Sequence, residues 1–156
     1  MSRFGAETVP TDNLRPSERT FLDKAAAYSR DEVKLARLAV SQATGSGVKA
    51  FAQQIATDHQ QLNDSLASLR RKKGAAPEPT GEIVSEAAQK LVQKMGAAFD
   101  REFVRVLAEV HSDAVILFEQ ALADAKDSEI RDLLGSYLPT LRDHQNQLGE
   151  LRKALE

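Results

Sequence analysis

Between Ile130 and Leu155 the chain places Ile130, Leu134, Tyr137, Leu141, His144, Leu148, Leu151 and Leu155 at alternating steps of four and three. Residues so spaced fall on one stripe of a 3.6-residue turn, the seam of a helix packed lengthwise against others. Three more stretches repeat the pattern: Phe21, Ala25, Tyr28, Glu32, Leu35, Ala39; Val48, Ala52, Ile55, His59, Leu62, Leu66, Leu69; and Phe103, Leu107, His111, Ala114, Phe118, Ala121. Each seam carries one ionisable residue where an apolar one belongs: Glu32, His59, His111 and His144.

The punctuation between seams places the helices. The first begins between Ser17 and Thr20, with Thr20 and Asp23 as a capping pair, and stops at Gly45. Ser46 caps the second, which ends in the basic run Arg70–Lys73 before Gly74, a residue suited to a left-handed cap. Links this short force antiparallel pairs. A linker with Pro77 and Pro79 precedes a short helix over Glu82–Met95, with Ile83, Ala87 and Leu91 on one side. The third long helix covers Ala97–Ala125, and Asp127 or Ser128 caps the fourth. The expectation is an all-α four-helix bundle over residues 17–156, with a short extra helix between the second and third long ones. Residues 1–16, polar and aperiodic, read as a mobile arm. Up-down-up-down order and a single long crossover both satisfy this reading. Pro139 lacks an amide hydrogen and is expected to kink the fourth helix a turn before His144.

All four misfits lie within about three residues, or about 4–5 Å of rise, of their helix midpoints. They therefore meet at one height in the core under either topology. An unpaired buried carboxylate costs several kcal/mol, so Glu32 requires a cation, a protonated imidazole or a metal opposite it. The chain has no cysteine, which leaves nitrogen and oxygen as ligands. Three imidazoles and a carboxylate suit a first-row transition metal, zinc or iron in the first instance. The competing arrangement is a metal-free hydrogen-bond network in a structural or interaction module. A third, a redox enzyme, needs an open coordination position.

Phe21-Leu22 with Ala25, Glu32-Val33, Asp58-His59, Phe99-Asp100, His111, and Leu138-Pro139 followed by His144 resemble the ferritin-like superfamily. More narrowly, they resemble a bacterial ferritin-like domain of unknown function whose members are described as outer-membrane or periplasmic. That resemblance implies a bundle with a metal centre and no assigned activity; a role in stress or metal handling is the expectation drawn from the site. Di-iron members carry Glu-x-x-His on two helices, whereas Ala56 and Leu141 stand three residues before His59 and His144 here. A conventional di-iron oxidase is not expected; a mononuclear site is.

Tyr28 and Tyr137 lie on seams near the belt, and Asp58 adjoins it, as candidate outer partners of the ligands; Asp113 is a weaker one. Asp100 sits in a first helical turn, where the dipole alone explains it. The net charge of −2 favours neither nucleic acid nor an anionic membrane, and the basic run at Arg70 lacks interleaved aromatics. No stretch reads as a membrane span or an export signal. The chain as it stands is expected in the cytoplasm, or in the periplasm as a processed form. Homo-oligomerisation is left open.

Overall fold

The structure, a computed structural model, describes residues 14–74 and 85–156. Its helices are α1 (Pro16–Gln42), α2 (Ser46–Lys72), α3 (Ser85–Val92), α4 (Gly96–Asp124) and α5 (Ser128–Ala154). No strand occurs among the described residues. The four long helices pack as a square in which α1 touches α2 and α4, and α5 touches the same two.

Contacts at the ends settle the order. Lys73 pairs with Asp127 and Glu129 at 2.7 and 2.8 Å, so α2 ends where α5 begins. Asp100, at the start of α4, reaches the α1–α2 link, where α2 begins. The chain must therefore travel the length of the bundle, about 40 Å for a 27-residue helix, between α2 and α4. The directions are up, down, down, up with one long crossover.

Two buried carboxylates fasten the tight links. Glu18 in α1 accepts from the backbone N–H groups of Lys126 and Asp127 at 2.8 and 2.9 Å. Asp100 in α4 accepts from those of Thr44 and Gly45 at 2.9 and 2.8 Å. The two hairpins are thus related by an approximate two-fold, and a constant interval carries one onto the other: Glu18 to Asp100, Phe21 to Phe103, Ala39 to Ala121, Ala43 to Ala125, Ser46 to Ser128, Leu66 to Leu148. Matching C-caps complete the correspondence, with Ala43 N–H donating to Ala39 and Ala125 N–H to Ala121.

Several sequence expectations about the ends need correction. Helix α1 starts at Pro16, with the Arg15 N–H donating to Glu18 at 2.9 Å, not at a Thr20–Asp23 box. Proline fits the first helical position because its missing donor would have no partner there. Leu14 is already buried against the bundle, so packing begins inside the span assigned to an arm; residues 1–13 lie outside the described residues. Helix α1 ends at Gln42 through an extended Ala43, and Gly45 is the N-cap of α2 with negative φ. Ser46 is therefore the first helical residue and not the cap, and the Asp100 carboxylate holds the N–H of the Gly45 N-cap. Asp127 caps α5 by accepting from Glu129 and Ile130, and Gly74 adopts φ 68° as its place after α2 requires. The short helix α3 covers Ser85–Val92 and buries Leu91; Ile83 and the Ala87 side chain lie outside the described residues. Helix α5 continues through Pro139.

The core is divided. One apolar cluster holds Leu35, Ala39, Val48, Phe51, Ile55, Phe103, Leu107 and Leu148. The other holds Phe21, Leu22, Leu62, Leu66, Val115, Phe118, Ile130, Leu134 and Leu141. On every long helix the switch from one cluster to the other brackets the ionisable seam residue. The four misfits therefore occupy a single polar layer between two oily halves.

Candidate metal centre

Glu32, His59, His111 and His144 are all buried, with Glu32, His111 and His144 at 0% exposure. One ring nitrogen from each histidine lies within 4.8 Å of the other two. Glu32 Oε1 stands 2.9 Å from His111 Nδ1 and 3.4 Å from His59 Nε2. The edge of a tetrahedron drawn with metal–ligand bonds near 2.05 Å is about 3.3 Å. The carboxylate stands near that spacing from two imidazoles, while the histidine trio, which forms a ligand group without Glu32, must close in from separations of up to 4.8 Å to match it.

The outer partners fix which nitrogen faces inward. Leu141 C=O can only accept, so His111 Nε2 donates to it at 2.7 Å. The Asp58 carboxylate accepts from His144 Nε2 at 2.7 Å. Ser29 Oγ spends its proton on the His59 carbonyl at 3.1 Å, which makes it the acceptor for His59 Nδ1 at 3.3 Å. Each ring thus has its outer nitrogen tied to an acceptor, leaving His59 Nε2, His111 Nδ1 and His144 Nδ1 directed at the shared interior. This is how proteins orient metal-ligating imidazoles. His59 Nε2, His144 Nδ1 and Glu32 Oε2 are buried without a hydrogen-bond partner, a concentration of orphaned lone pairs that apolar packing alone does not produce.

Protonation follows from the same geometry. Burial depresses His59 most, outweighing the attraction of Glu32, and its imidazole is pushed down to about 4. His144 is lowered too, chiefly by burial against the opposing Asp58 hydrogen bond. His111 goes the other way: burial disfavours its charge, but the Glu32 charge and hydrogen bond with the Leu141 carbonyl prevail and raise it. Burial raises Glu32, and the three histidines more than offset that, His59 and His111 foremost, so it stays below the ordinary carboxylate range. Without metal the layer is a Glu32–His111 carboxylate–imidazolium pair flanked by two neutral histidines.

The approximate two-fold bears on how many ions fit. It relates Ser29 to His111, Glu32 to Ala114, His59 to Leu141 and Leu62 to His144, and the Ser29–His59 C=O bond mirrors the His111–Leu141 C=O bond. Each symmetry-related pair supplies one donor of the four. Among the described residues there is no second, equivalent set of ligands.

Of the proposed outer partners, Asp58 is in place. The Tyr137 hydroxyl instead shares a hydrogen bond with Ser65 at 3.0 Å, and Tyr28 packs partly buried on the first apolar cluster. Burial and the charge of Asp113 raise the Tyr28 phenol. Among the described residues neither tyrosine hydrogen-bonds to the layer. Ser29 and Leu141 C=O escaped sequence reasoning, since a serine and a backbone carbonyl carry no spacing signal. Three members of the basic run are paired, Arg70 with Asp23, Lys72 with Glu129, and Lys73 with Asp127 and Glu129. No described helix is long and apolar enough to cross a membrane.

Residues 5–151 match the family model described as Domain of unknown function (DUF4142). Among solved structures, CopM in the Cu(II)-bound form aligns with a TM-score of 0.76 at 16% identity, over 88% of this chain and 97% of that one. CopM in the Cu(I)-bound form gives 0.76 at 18%, over 90% and 98%. A DUF305 fragment from Deinococcus radiodurans gives 0.79 at 17%, over 89% and 97%. These likenesses show a common fold. No curated protein matches the chain.

Proposed function

We propose that this chain, which belongs to the DUF4142 family, binds one transition-metal ion between Glu32, His59, His111 and His144. The observation that carries the reading is the set of inward-facing donors, the three imidazoles each anchored on the far side, with His59 Nε2, His144 Nδ1 and Glu32 Oε2 buried and unpartnered. Four protein donors close a tetrahedral shell, the arrangement of a holding site and not of an open catalytic one. The role is metal handling. Imidazole and carboxylate accept zinc and iron, and the affinity order of divalent ions puts Cu(II) above both. CopM, with the same fold, carries copper, so copper joins zinc and iron as a candidate.

Protein purified without a metal-affinity tag, stripped by chelator and titrated separately with Cu(II), Zn(II) and Fe(II), is expected to retain one equivalent of metal. Retention of less than about a tenth of an equivalent of every one of Cu(II), Zn(II) and Fe(II) would remove the proposal. The hydrogen-bond network is the second reading, favoured by the Glu32–His111 pair at 2.9 Å; it predicts no retained metal and no stabilisation by any ion.

A further inference from the structure

The layer is enclosed on nearly every side. Glu32, His111 and His144 are fully buried, and the anchoring Ser29 and Leu141 are each 2% exposed. Asp58 is different: its side chain is 28% exposed while its carboxylate holds His144 at 2.7 Å. Among the groups hydrogen-bonded to the four ionisable residues it alone reaches solvent appreciably.

Next to it the seam between α2 and α5 is open. A groove of about 310 Å³ lies there, lined by Ala50, Phe51 and Gln54 of α2 and by Gln147, Glu150 and Leu151 of α5. Gln54 is one turn from Asp58 and Gln147 one turn from His144, so the inner end of the groove abuts the Asp58–His144 pair. The Phe51 ring lines the groove and packs perpendicular to the His144 imidazole with centroids 6.1 Å apart. Phe51 is held by apolar packing, so its ring can turn without breaking any of the hydrogen bonds that anchor the layer.

Resting on the metal-binding reading, we propose that the ion enters and leaves through the α2–α5 seam. Asp58 takes it first from water and passes it to His144 as the Phe51 ring swings aside. Asp58 then has two duties, anchoring His144 and acting as the entry ligand, and Phe51 is the gate. Besides metal–ligand bonds, one bond breaks, the His111 Nδ1–H that donates to Glu32 in the metal-free layer; its proton and the water released from the ion leave by the groove.

Stopped-flow mixing of the stripped full-length chain with Cu(II), and chelator-driven release from the loaded chain, test this. Phe51→Ala is expected to accelerate both uptake and release at least about tenfold with one equivalent still bound, and Phe51→Leu to do so less. Asp58→Asn should slow uptake, whereas a purely anchoring role would raise release and leave uptake alone. Ala50→Trp, which fills the groove, should slow both directions. Gln120→Trp, in the separate cavity beside Phe21, should change neither. Wild-type kinetics in Phe51→Leu and Ala50→Trp, with metal still bound, would overturn the route and leave the site standing. Failure of the wild type to retain metal would remove both.

Discussion

His111→Leu in metal-free protein isolates the energetics of the layer. In the wild type at pH 7 the imidazolium neutralises Glu32 at 2.9 Å, with both groups buried. Leucine removes that cation, and the carboxylate must either stay charged in an apolar interior or take up a proton. Protonating a carboxyl of ordinary pKa near 4.3 at pH 7 costs about 1.36 × 2.7, or about 3.7 kcal/mol. That sets the electrostatic penalty, which agrees with the 3–5 kcal/mol typical of breaking a buried pair. For a domain of this size the loss lowers Tm by about 10 °C.

The sign of the pH dependence is fixed. Folded His111→Leu holds a proton on Glu32 that the unfolded chain lacks at pH 7, so its stability rises as pH falls. At pH 5 the penalty shrinks to about 1 kcal/mol. Glu32→Leu is the asymmetric partner: His111 releases its proton at almost no cost at pH 7, leaving only lost hydrogen bonds, about 1–2 kcal/mol. The double variant should approach wild type. Urea denaturation in chelator at pH 5 and 7 measures all four chains. A His111→Leu penalty below about 1 kcal/mol at pH 7, or one that does not shrink at pH 5, would refute the charged pair.

Other outcomes follow from the link fastenings. Burial raises the Glu18 carboxyl, but the backbone donors of Arg15, Asp127 and Lys126 outweigh it and hold it below its ordinary 4.5. Its contribution is therefore present above that value and lost as pH falls through the lower folded value; Glu18→Gln should flatten the acid limb of an acid-denaturation curve and cost about 1.5–3 kcal/mol in urea at pH 7. At Gly45 an added Cβ would stand 3.1 Å from Asp100 Oδ2, so Gly45→Ala should lower Tm. Gly149→Ala meets nothing within 4 Å in a helix interior and should raise stability by about 0.5–1 kcal/mol in the same assay. Saturating metal should stabilise the wild type by about 2.7 kcal/mol at one hundred times Kd and leave His144→Leu nearly unaffected, as read by the Tm shift on addition of Zn(II).

Much of this was legible in the chain. The seams locate every long helix because their period survives an interruption by Glu32, His59, His111 or His144. The common height of those interruptions follows from helix lengths alone. What escaped was long-range or conformational. Nothing local marks Glu18 as the partner of Lys126, or Asp100 as the fastening of Gly45, since each bond joins opposite hairpins. Glu18 displaced the expected start at Thr20 by accepting the Arg15 N–H within its own first turn, while Asp100, from another helix, holds the N–H of Gly45, the N-cap where Ser46 was expected. Tyr137 sits on the right stripe but turns its hydroxyl to Ser65, a choice that spacing does not encode. The crossover became evident only once Lys73 was seen beside Asp127. The two-fold was hidden by the very substitutions that make the layer asymmetric, such as Leu62 against His144.

Diffraction at the absorption edge of the metal, from crystals of the loaded protein, asks most directly whether these donors share an ion. The account predicts one anomalous peak per chain, about 2.0–2.2 Å from His59 Nε2, His111 Nδ1, His144 Nδ1 and a Glu32 oxygen. A peak only at surface carboxylates, or none in the layer between the two apolar clusters, would contradict it.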